Sequence, residues 1–208
     1  IELVGIHAHI GSQIFEIKPF LDEVEIMLKL VKEVNENNID INLTEVDLGG
    51  GIGVYYTKDD KPKTITEFCE AIINKADEVC EELNIKRPKL IIEPGRSLVA
   101  NAGSTIYTIG SIKEIKNVRT YVSVDGGMTD NIRPSLYQAG YECAVVNKIN
   151  KIGNNHKVTI AGKCCESGDI LISDTEIGDI ESGDILITTN TGAYGYSMAS
   201  NYNKIPKN

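Results

Sequence analysis

The sequence has 208 residues, 41% of them apolar, and a formal net charge of −9 at pH 7. It is long enough to bury a sizeable core, but it has no run of basic residues for nucleic acid or anionic membranes and no apolar stretch near the roughly 18 residues of a membrane helix. Its five cysteines are odd in number and lack metal-type spacing, so we expect small-molecule chemistry in the reducing cytoplasm, with no metal site.

The first half of the sequence alternates strand and helix patterns. Pro19 suits a first helical position, and Thr64 with Glu67 predicts a capping box at the start of the second helix. Three strand-then-helix units in series, with each strand apolar on both faces, predict a parallel sheet covered by helices. The predicted strands are residues 2–11, 43–51 and 89–93, and the predicted helices are residues 19–37 and 64–84.

The second half has short β-rich runs separated by Gly, Asp and Asn turns, which predict an antiparallel β-domain. We therefore expect an α/β domain over residues 1–105 and a β-domain over residues 106–208. An eight-fold (β/α) barrel needs about 250 residues, and only three such units precede the β-rich half. The sequence also starts without methionine in mid-strand and ends on a polar stretch, so we expect a piece of a longer protein.

Polar residues follow each of the three predicted strands. They are the stretches His9-Ile10-Gly11-Ser12, Asp47-Leu48-Gly49-Gly50-Gly51 and Glu93-Pro94-Gly95-Arg96. Taken singly, the three glycines suit either a tight turn or a phosphate cradle, His9 suits a packed histidine, and Arg96 beside Glu93 suits an ordinary ion pair. In parallel (β/α) architectures these strand ends carry the site. Together the three stretches would suit a flat, phosphorylated, nitrogen-containing ring.

Six motifs in order resemble the fold-type III pyridoxal-phosphate decarboxylases over residues 4–203. They are HAHIGSQ, DLGGGIGVYY, EPGRSLVANAG, DGGMTDNIRPSLYQAGYE, CCESGDIL and TGAYGYSMASNYN. The resemblance implies the C-terminal part of an alanine-racemase-like (β/α)8 barrel followed by an antiparallel β-domain, in a homodimer with shared active sites. It also implies pyridoxal 5'-phosphate as cofactor and decarboxylation of meso-2,6-diaminopimelate to L-lysine and CO2, the last step of lysine biosynthesis.

The resemblance assigns cofactor roles by position. Glu93 would lie against the pyridine nitrogen, Arg96 would reach the phosphate or the substrate carboxylate, and His9 would stack on the ring and count among the catalytic residues. Tyr194 would touch both phosphate and substrate. The implied cofactor-binding set is His9, Ser12, Gly49, Gly50, Gly51, Glu93, Pro94, Gly95, Arg96 and Tyr194.

The resemblance assigns substrate roles mainly in the second half. Arg133 and Tyr137 would grip the distal carboxylate of diaminopimelate, and Glu166 would read its distal ammonium. Cys165 would be the catalytic acid that reprotonates the carbon left by CO2, and it would come, like Glu166, from the partner subunit. The implied substrate-binding set is Arg96, Arg133, Tyr137, Glu166 and Tyr194.

One departure and two alternatives accompany this resemblance. The family's Schiff-base lysine lies upstream of every motif here, so we expect these 208 residues alone to be inactive. A decarboxylase of the same fold for ornithine, arginine or carboxynorspermidine is one alternative, and Arg133 disfavours the first two because neither offers a distal carboxylate. The other is a catalytically silent homologue that binds a protein partner, which the presence of Glu93, Cys165 and Glu166 disfavours.

Overall fold

The structure is a computed structural model that describes residues 2–37, 40–148 and 155–206. The chain forms two compact units. The first unit is Ile1–Val54 with Lys61–Leu98, and the second is Tyr55–Asp60 with Val99–Asn208. The domain bounds predicted from the sequence, 1–105 and 106–208, stay predictions. Among the described residues, no helix combines the length and apolar character that crossing a membrane requires.

The first unit contains a parallel three-stranded sheet with helices after each strand. The sheet order is β1-β2-β3, with β1 paired to β2 and β2 to β3, both in parallel. The predicted series of three strand-then-helix units is therefore confirmed. The elements are β1 Gly5–His7, α1 Lys18–Asn37, β2 Glu45–Asp47, α2 Ile65–Leu83, β3 Lys89–Ile91 and the short α3 Gly95–Val99.

The core of the first unit lies between the sheet and its two long helices. Phe20 of α1 and Phe68 of α2 meet edge to face with ring centroids 5.1 Å apart, and Val46 of β2 is fully buried against them. The predicted capping box is confirmed, since Glu67 N donates to Thr64 Oγ at 3.2 Å and Thr64 N donates to Glu67 Oε2 at 2.7 Å. The box fixes where α2 begins.

The second unit contains a six-stranded sheet and one short helix, α4, at Arg133–Tyr137. The sheet order is β6-β9-β4-β5-β7-β8. The strands are β4 Thr105–Ile115, β5 Arg119–Val124, β6 Cys143–Val145, β7 His156–Ala161, β8 Ile170–Ile177 and β9 Ile185–Thr188.

The prediction of a wholly antiparallel β-domain is wrong at one pairing. Strands β5 and β7 run parallel, with Thr120 opposite Val158 and Ser123 opposite Ala161. Parallel neighbours need a crossover of a dozen or more residues, and residues 125–155 between these strands provide one. Strand composition does not encode direction, so the sequence pattern could not distinguish this mixed sheet from an antiparallel one.

Candidate functional site

The carboxyl ends of β1, β2 and β3 lie side by side, because the strands are parallel and in register. The three polar stretches singled out in the sequence therefore start at one edge of the sheet. Backbone hydrogen bonds join them there: Ala8 N to Asp47 O at 3.0 Å, Leu48 N to Ile91 O at 3.0 Å, and Glu93 N to Gly49 O at 2.6 Å.

The three glycines after β2 allow these strand ends to approach closely. A Cβ on Gly50 would lie 2.3 Å from Glu93 O, and one on Gly51, where φ is +106°, would lie 2.4 Å from Gly11 O. Gly50 N donates to His9 Nδ1 at 3.1 Å, which leaves the proton of a neutral ring on Nε2. The glycines thus make a tight turn that orients His9, and their role as a phosphate cradle stays a prediction.

Glu93 contacts a histidine that the sequence analysis did not single out. His7 Nε2 lies 3.2 Å from Glu93 Oε2, and both side chains are more than half exposed. With Asp47, whose Oδ1 accepts from Gly49 N at 2.9 Å, they place three possible ligand atoms within 4.8 Å of one another, as a metal ion would require. The available signal for His7 was its position two residues before His9, on the same face of the strand. The expected absence of a metal site stays a prediction.

Arg96 and Ser12 are brought together as the resemblance implied for the phosphate side of the site. Arg96 Nη2 donates to Ser12 Oγ at 3.0 Å. The intervening turn is held by Gly95 N donating to Glu93 O and by Ser97 Oγ donating to Pro94 O. No atom lies within 4 Å of where a Cβ on Gly95 would be, so this turn has open space beside it.

A buried carboxyl group lies on α1 in the same unit. Glu23 is 4% exposed, and neither of its carboxyl oxygens has a hydrogen-bond partner among the described residues. Burial raises the pKa of Glu23 to about 7; Asp47 raises it further, and His7 opposes the shift. Sequence analysis missed this group because the apolar spacing of α1 marks neighbouring Val24, not residue 23, as buried.

In the second unit, Arg133 is 6% exposed although it carries a guanidinium. Its Nη1 donates to Tyr141 Oη, and its guanidinium carbon lies 4.8 Å from the centroid of the Tyr56 ring and 5.6 Å from that of Tyr141. Within residues 2–37, 40–148 and 155–206, no carboxylate forms an ion pair with it. A buried cation without a counter-charge is costly, so this site suits an anionic ligand.

The other substrate residues of α4 and its neighbouring loop are exposed. Tyr137 ends α4 and is 62% exposed, whereas Arg133 one turn before it is buried. Ser135 Oγ donates to the carbonyl oxygen of Gly168. This contact joins α4 to the loop that carries Cys165 and Glu166, so the structure brings three of the predicted substrate residues onto two connected segments.

The loop with Cys165 and Glu166 is held by groups that the sequence analysis did not assign. Asp169 is buried and its carboxylate accepts from Met128 N at 2.6 Å and from Cys164 N at 2.7 Å. Tyr202 Oη donates to Glu166 Oε2 at 3.0 Å, and this bond is the main cause that lowers the pKa of Glu166. Cys165 itself is exposed.

Tyr194 lies after β9 with φ +57° and is 46% exposed. Its predicted contacts with phosphate and substrate stay predictions, as do the roles of the other site residues.

Comparison with known proteins gives the class first. Residues 1–100 match the family model described as "Pyridoxal-dependent decarboxylase, pyridoxal binding domain". Together with the relatives below, this match places the chain in the pyridoxal-dependent decarboxylase family.

The relatives give the particular branch. The chain is 50% identical over 207 residues to diaminopimelate decarboxylase of Bacillus subtilis (strain 168), covering all of this chain and 47% of that protein. Its fold matches the crystal structure of diaminopimelate decarboxylase from M. jannaschii with L-lysine, at a TM-score of 0.87 and 41% identity over 96% of this chain and 44% of that one. The Helicobacter pylori enzyme with L-lysine gives 0.85 at 33% identity, over 99% of this chain and 48% of that one. The chain spans about half the length of the curated relatives it matches.

Proposed function

We propose that this chain is part of a pyridoxal-phosphate enzyme that decarboxylates meso-2,6-diaminopimelate to L-lysine and CO2. Its relatives with 40–50% identity over nearly the whole chain carry that name, and two structural neighbours hold L-lysine, which would be the product. The observation that carries the proposal is Arg133, a buried guanidinium that has no carboxylate partner in the described residues. A substrate with a second carboxylate would supply that partner.

We propose the finer architecture on the same grounds. Residues 1–105 would be the C-terminal part of an alanine-racemase-like (β/α)8 barrel, and residues 106–208 the β-domain that follows it. Two subunits would form a homodimer with shared active sites, in which Cys165 and Glu166 come from the partner. All five cysteines are free thiols, which supports a cytoplasmic location.

The residues at the sheet edge of the first unit fit pyridoxal phosphate chemically. The Glu93 carboxylate would hold a proton on the pyridine nitrogen, because a nearby negative charge favours the protonated form. Arg96 and Ser12, already in contact, would bind the phosphate, and His9 would stack on the ring in the orientation fixed by Gly50. When bound, the cofactor supplies an electron sink for the electron pair that loss of CO2 leaves on the substrate.

The residues of the second unit would bind and orient the substrate. Arg133, with Tyr137 at the other end of α4, would bind the distal carboxylate, and Glu166 would accept hydrogen bonds from the distal ammonium. Cys165 would donate a proton to the carbon that has lost CO2, for which an exposed thiol within reach of that carbon suffices. An enzyme built this way rejects simple diamino acids, since they leave the buried guanidinium unpaired.

The direct test is a turnover assay. The protein as its gene encodes it is purified with pyridoxal phosphate and given meso-diaminopimelate, with ornithine, arginine and carboxynorspermidine as parallel substrates. We expect lysine and CO2 from diaminopimelate alone. Turnover of another substrate in its place would make the protein a different decarboxylase of this fold, and cofactor absorbance with no turnover of any substrate would contradict the proposal.

A further inference from the structure

We propose that Tyr56 and Tyr141 are positioning residues that hold the Arg133 guanidinium in one orientation and so set the preference for a substrate with a second carboxylate. This inference rests on the proposed function for the identity of the substrate. It goes beyond that function because it assigns a specificity role to two side chains that touch Arg133 and that the resemblance left without one.

The two rings form a corner against which the guanidinium lies. Tyr56 and Tyr141 are each 5% exposed, with ring centroids 5.1 Å apart and planes at 76°. The guanidinium carbon of Arg133 lies 4.8 Å from one centroid and 5.6 Å from the other. Both distances are within the range of cation–π attraction, so two ring faces restrict the guanidinium from different directions.

A hydrogen bond fixes the remaining freedom. Arg133 Nη1 donates to Tyr141 Oη. Burial raises the pKa of Tyr141, although Arg133 opposes that shift. The phenol therefore remains neutral at the pH where such an enzyme works, and it accepts the bond without cancelling the positive charge of Arg133.

The neutrality of all three contacts is the central point. A carboxylate partner would orient Arg133 equally well, but it would also neutralise the charge and compete with the substrate for it. Tyrosines orient the group while the full charge stays available. An arginine already held in one rotamer also loses less side-chain entropy when a carboxylate arrives, so binding is tighter than to a mobile arginine.

The backbone holds Tyr56 where this role requires it. Asp60 Oδ2 accepts from Tyr56 N at 2.9 Å and from Thr57 N at 2.8 Å, which closes a turn. The preceding residue, Tyr55, is 36% exposed, and its hydroxyl donates to Glu142 at 2.8 Å. Two adjacent tyrosines therefore have different partners, and Tyr55 provides a matched control.

The stereochemistry of the proposed reaction defines a probe for specificity. A meso substrate has one D and one L centre, and since the product is L-lysine, CO2 must leave the D centre. D-Lysine is therefore the analogue that keeps the reacting centre and lacks the distal carboxylate. A residue that acts through Arg133 affects diaminopimelate and leaves D-lysine unchanged, whereas a residue needed for the fold affects both.

The test compares Tyr141→Phe and Tyr56→Leu with Tyr55→Phe in the protein as its gene encodes it. Tyr141→Phe removes the acceptor and keeps the ring, and Tyr56→Leu removes one ring face. We expect each to raise KM for meso-diaminopimelate about tenfold, the size expected for one contact to a charged group. The kcat value, cofactor absorbance and inhibition by D-lysine should stay as in the wild type, and Tyr55→Phe should change none of them.

A second measurement needs no turnover. The Nε–Hε resonance of Arg133 should exchange slowly with solvent in the wild type and in Tyr55→Phe, and faster in Tyr141→Phe and Tyr56→Leu. An unchanged KM together with unchanged exchange, or equal losses for diaminopimelate and D-lysine, would overturn the inference. If the wild type turned over no diaminopimelate, the proposed function would fail, and the exchange rates would decide the positioning role by themselves.

Discussion

At Arg133 the chain buries a guanidinium against tyrosine rings where a protein usually supplies a carboxylate. Glu166 offers the opposite charge on a neighbouring loop, held by Tyr202 and by Gly168 N. A substrate with a carboxylate and an ammonium at the same distal centre matches this pair of charges. Ornithine and arginine provide no such carboxylate, which is why these two residues carry the choice among substrates.

Tyr202→Phe tests how Glu166 is held. The Tyr202 hydroxyl is the main cause that lowers the pKa of Glu166, so its removal should raise that pKa and move the acidic limb of the kcat/KM profile to higher pH. We also expect KM for diaminopimelate to rise about fivefold, since one hydrogen bond to a charged group is lost. The measurement is a pH series of initial rates.

Tyr55→Phe is the control for this change, because it removes a hydroxyl that donates to Glu142 instead of Glu166. If both variants gave the wild-type profile, Tyr202 would have no part in orienting Glu166.

Glu23 predicts a dependence of stability on pH. Its folded-state pKa, raised by burial from 4.5 to about 7, lies above its unfolded value, so the folded state binds more protons between these limits. Stability should therefore be complete below about pH 4.5 and fall as pH rises towards 7, by about 3 kcal/mol in the limit of full ionisation. His7 and Asp47 are the charged groups that act on this carboxyl group.

Urea unfolding of Glu23→Gln at a series of pH values checks this prediction. The variant should lose the fall in stability between pH 4.5 and 7 relative to wild type, and Glu33→Gln, an exposed change on the same helix, should keep it. Parallel curves for wild type and Glu23→Gln would show that Glu23 ionises as freely in the folded protein as in the unfolded one.

At the scale of elements, the loop between β7 and β8 depends on one buried carboxylate. Asp169 accepts from the backbone N–H groups of Met128 and Cys164, so it fixes the loop that carries Cys165. Asp169→Asn keeps the shape but turns an N–H group towards a donor, and an unpaired buried donor costs about 1–3 kcal/mol.

We expect Asp169→Asn to lower both the urea midpoint and kcat, while absorbance of the bound cofactor persists. Asp59→Asn, an exposed change in the same unit, is the control. A wild-type kcat in Asp169→Asn would mean that the position of this loop does not limit proton donation by Cys165.

Local patterns predicted the elements of the first unit well. The spacing of apolar residues in α1, the capping box of α2 and the apolar strands are encoded within a few residues of one another, and each is confirmed. The parallel pairing of β5 with β7 depends on where a long segment returns, and no local pattern records that. The sequence analysis therefore gave the right strands and the wrong direction for one pair.

The same limit applies to the candidate site. Glycine turns and strand ends identified Glu93, Arg96 and Ser12, and the structure brings the last two into contact. The contact of Arg133 with Tyr56 joins residues 77 positions apart, and that of Glu166 with Tyr202 joins residues 36 apart. Such pairs are set by packing, so the sequence motifs contained these tyrosines without revealing what they do.

At the scale of the whole molecule, shared active sites predict complementation between inactive variants. Glu93→Ala should disable the cofactor side of a site and Cys165→Ala the proton donor supplied by the partner. Either variant alone should be nearly inactive. When the two are mixed and allowed to exchange subunits, half of the dimers are hybrids with one intact site of two, so activity should recover to about a quarter of wild type.

Mixing two preparations of the same variant is the control for that experiment. No recovery in the mixed sample, with subunit exchange verified by mass, would place Cys165 and Glu93 of one site on the same subunit.

The central claim is that Arg133 reads a second carboxylate on the substrate, and the selectivity of Arg133→Leu tests it most directly. The measurement is kcat/KM for meso-diaminopimelate and the inhibition constant of D-lysine, in wild type and variant with equal cofactor loading. We predict that kcat/KM for diaminopimelate falls at least a hundredfold, because a buried charge-assisted pair is lost, while D-lysine binds as tightly as before or more tightly. Equal retention of diaminopimelate turnover in the variant would contradict the account, since Arg133 would then have no part in choosing the substrate.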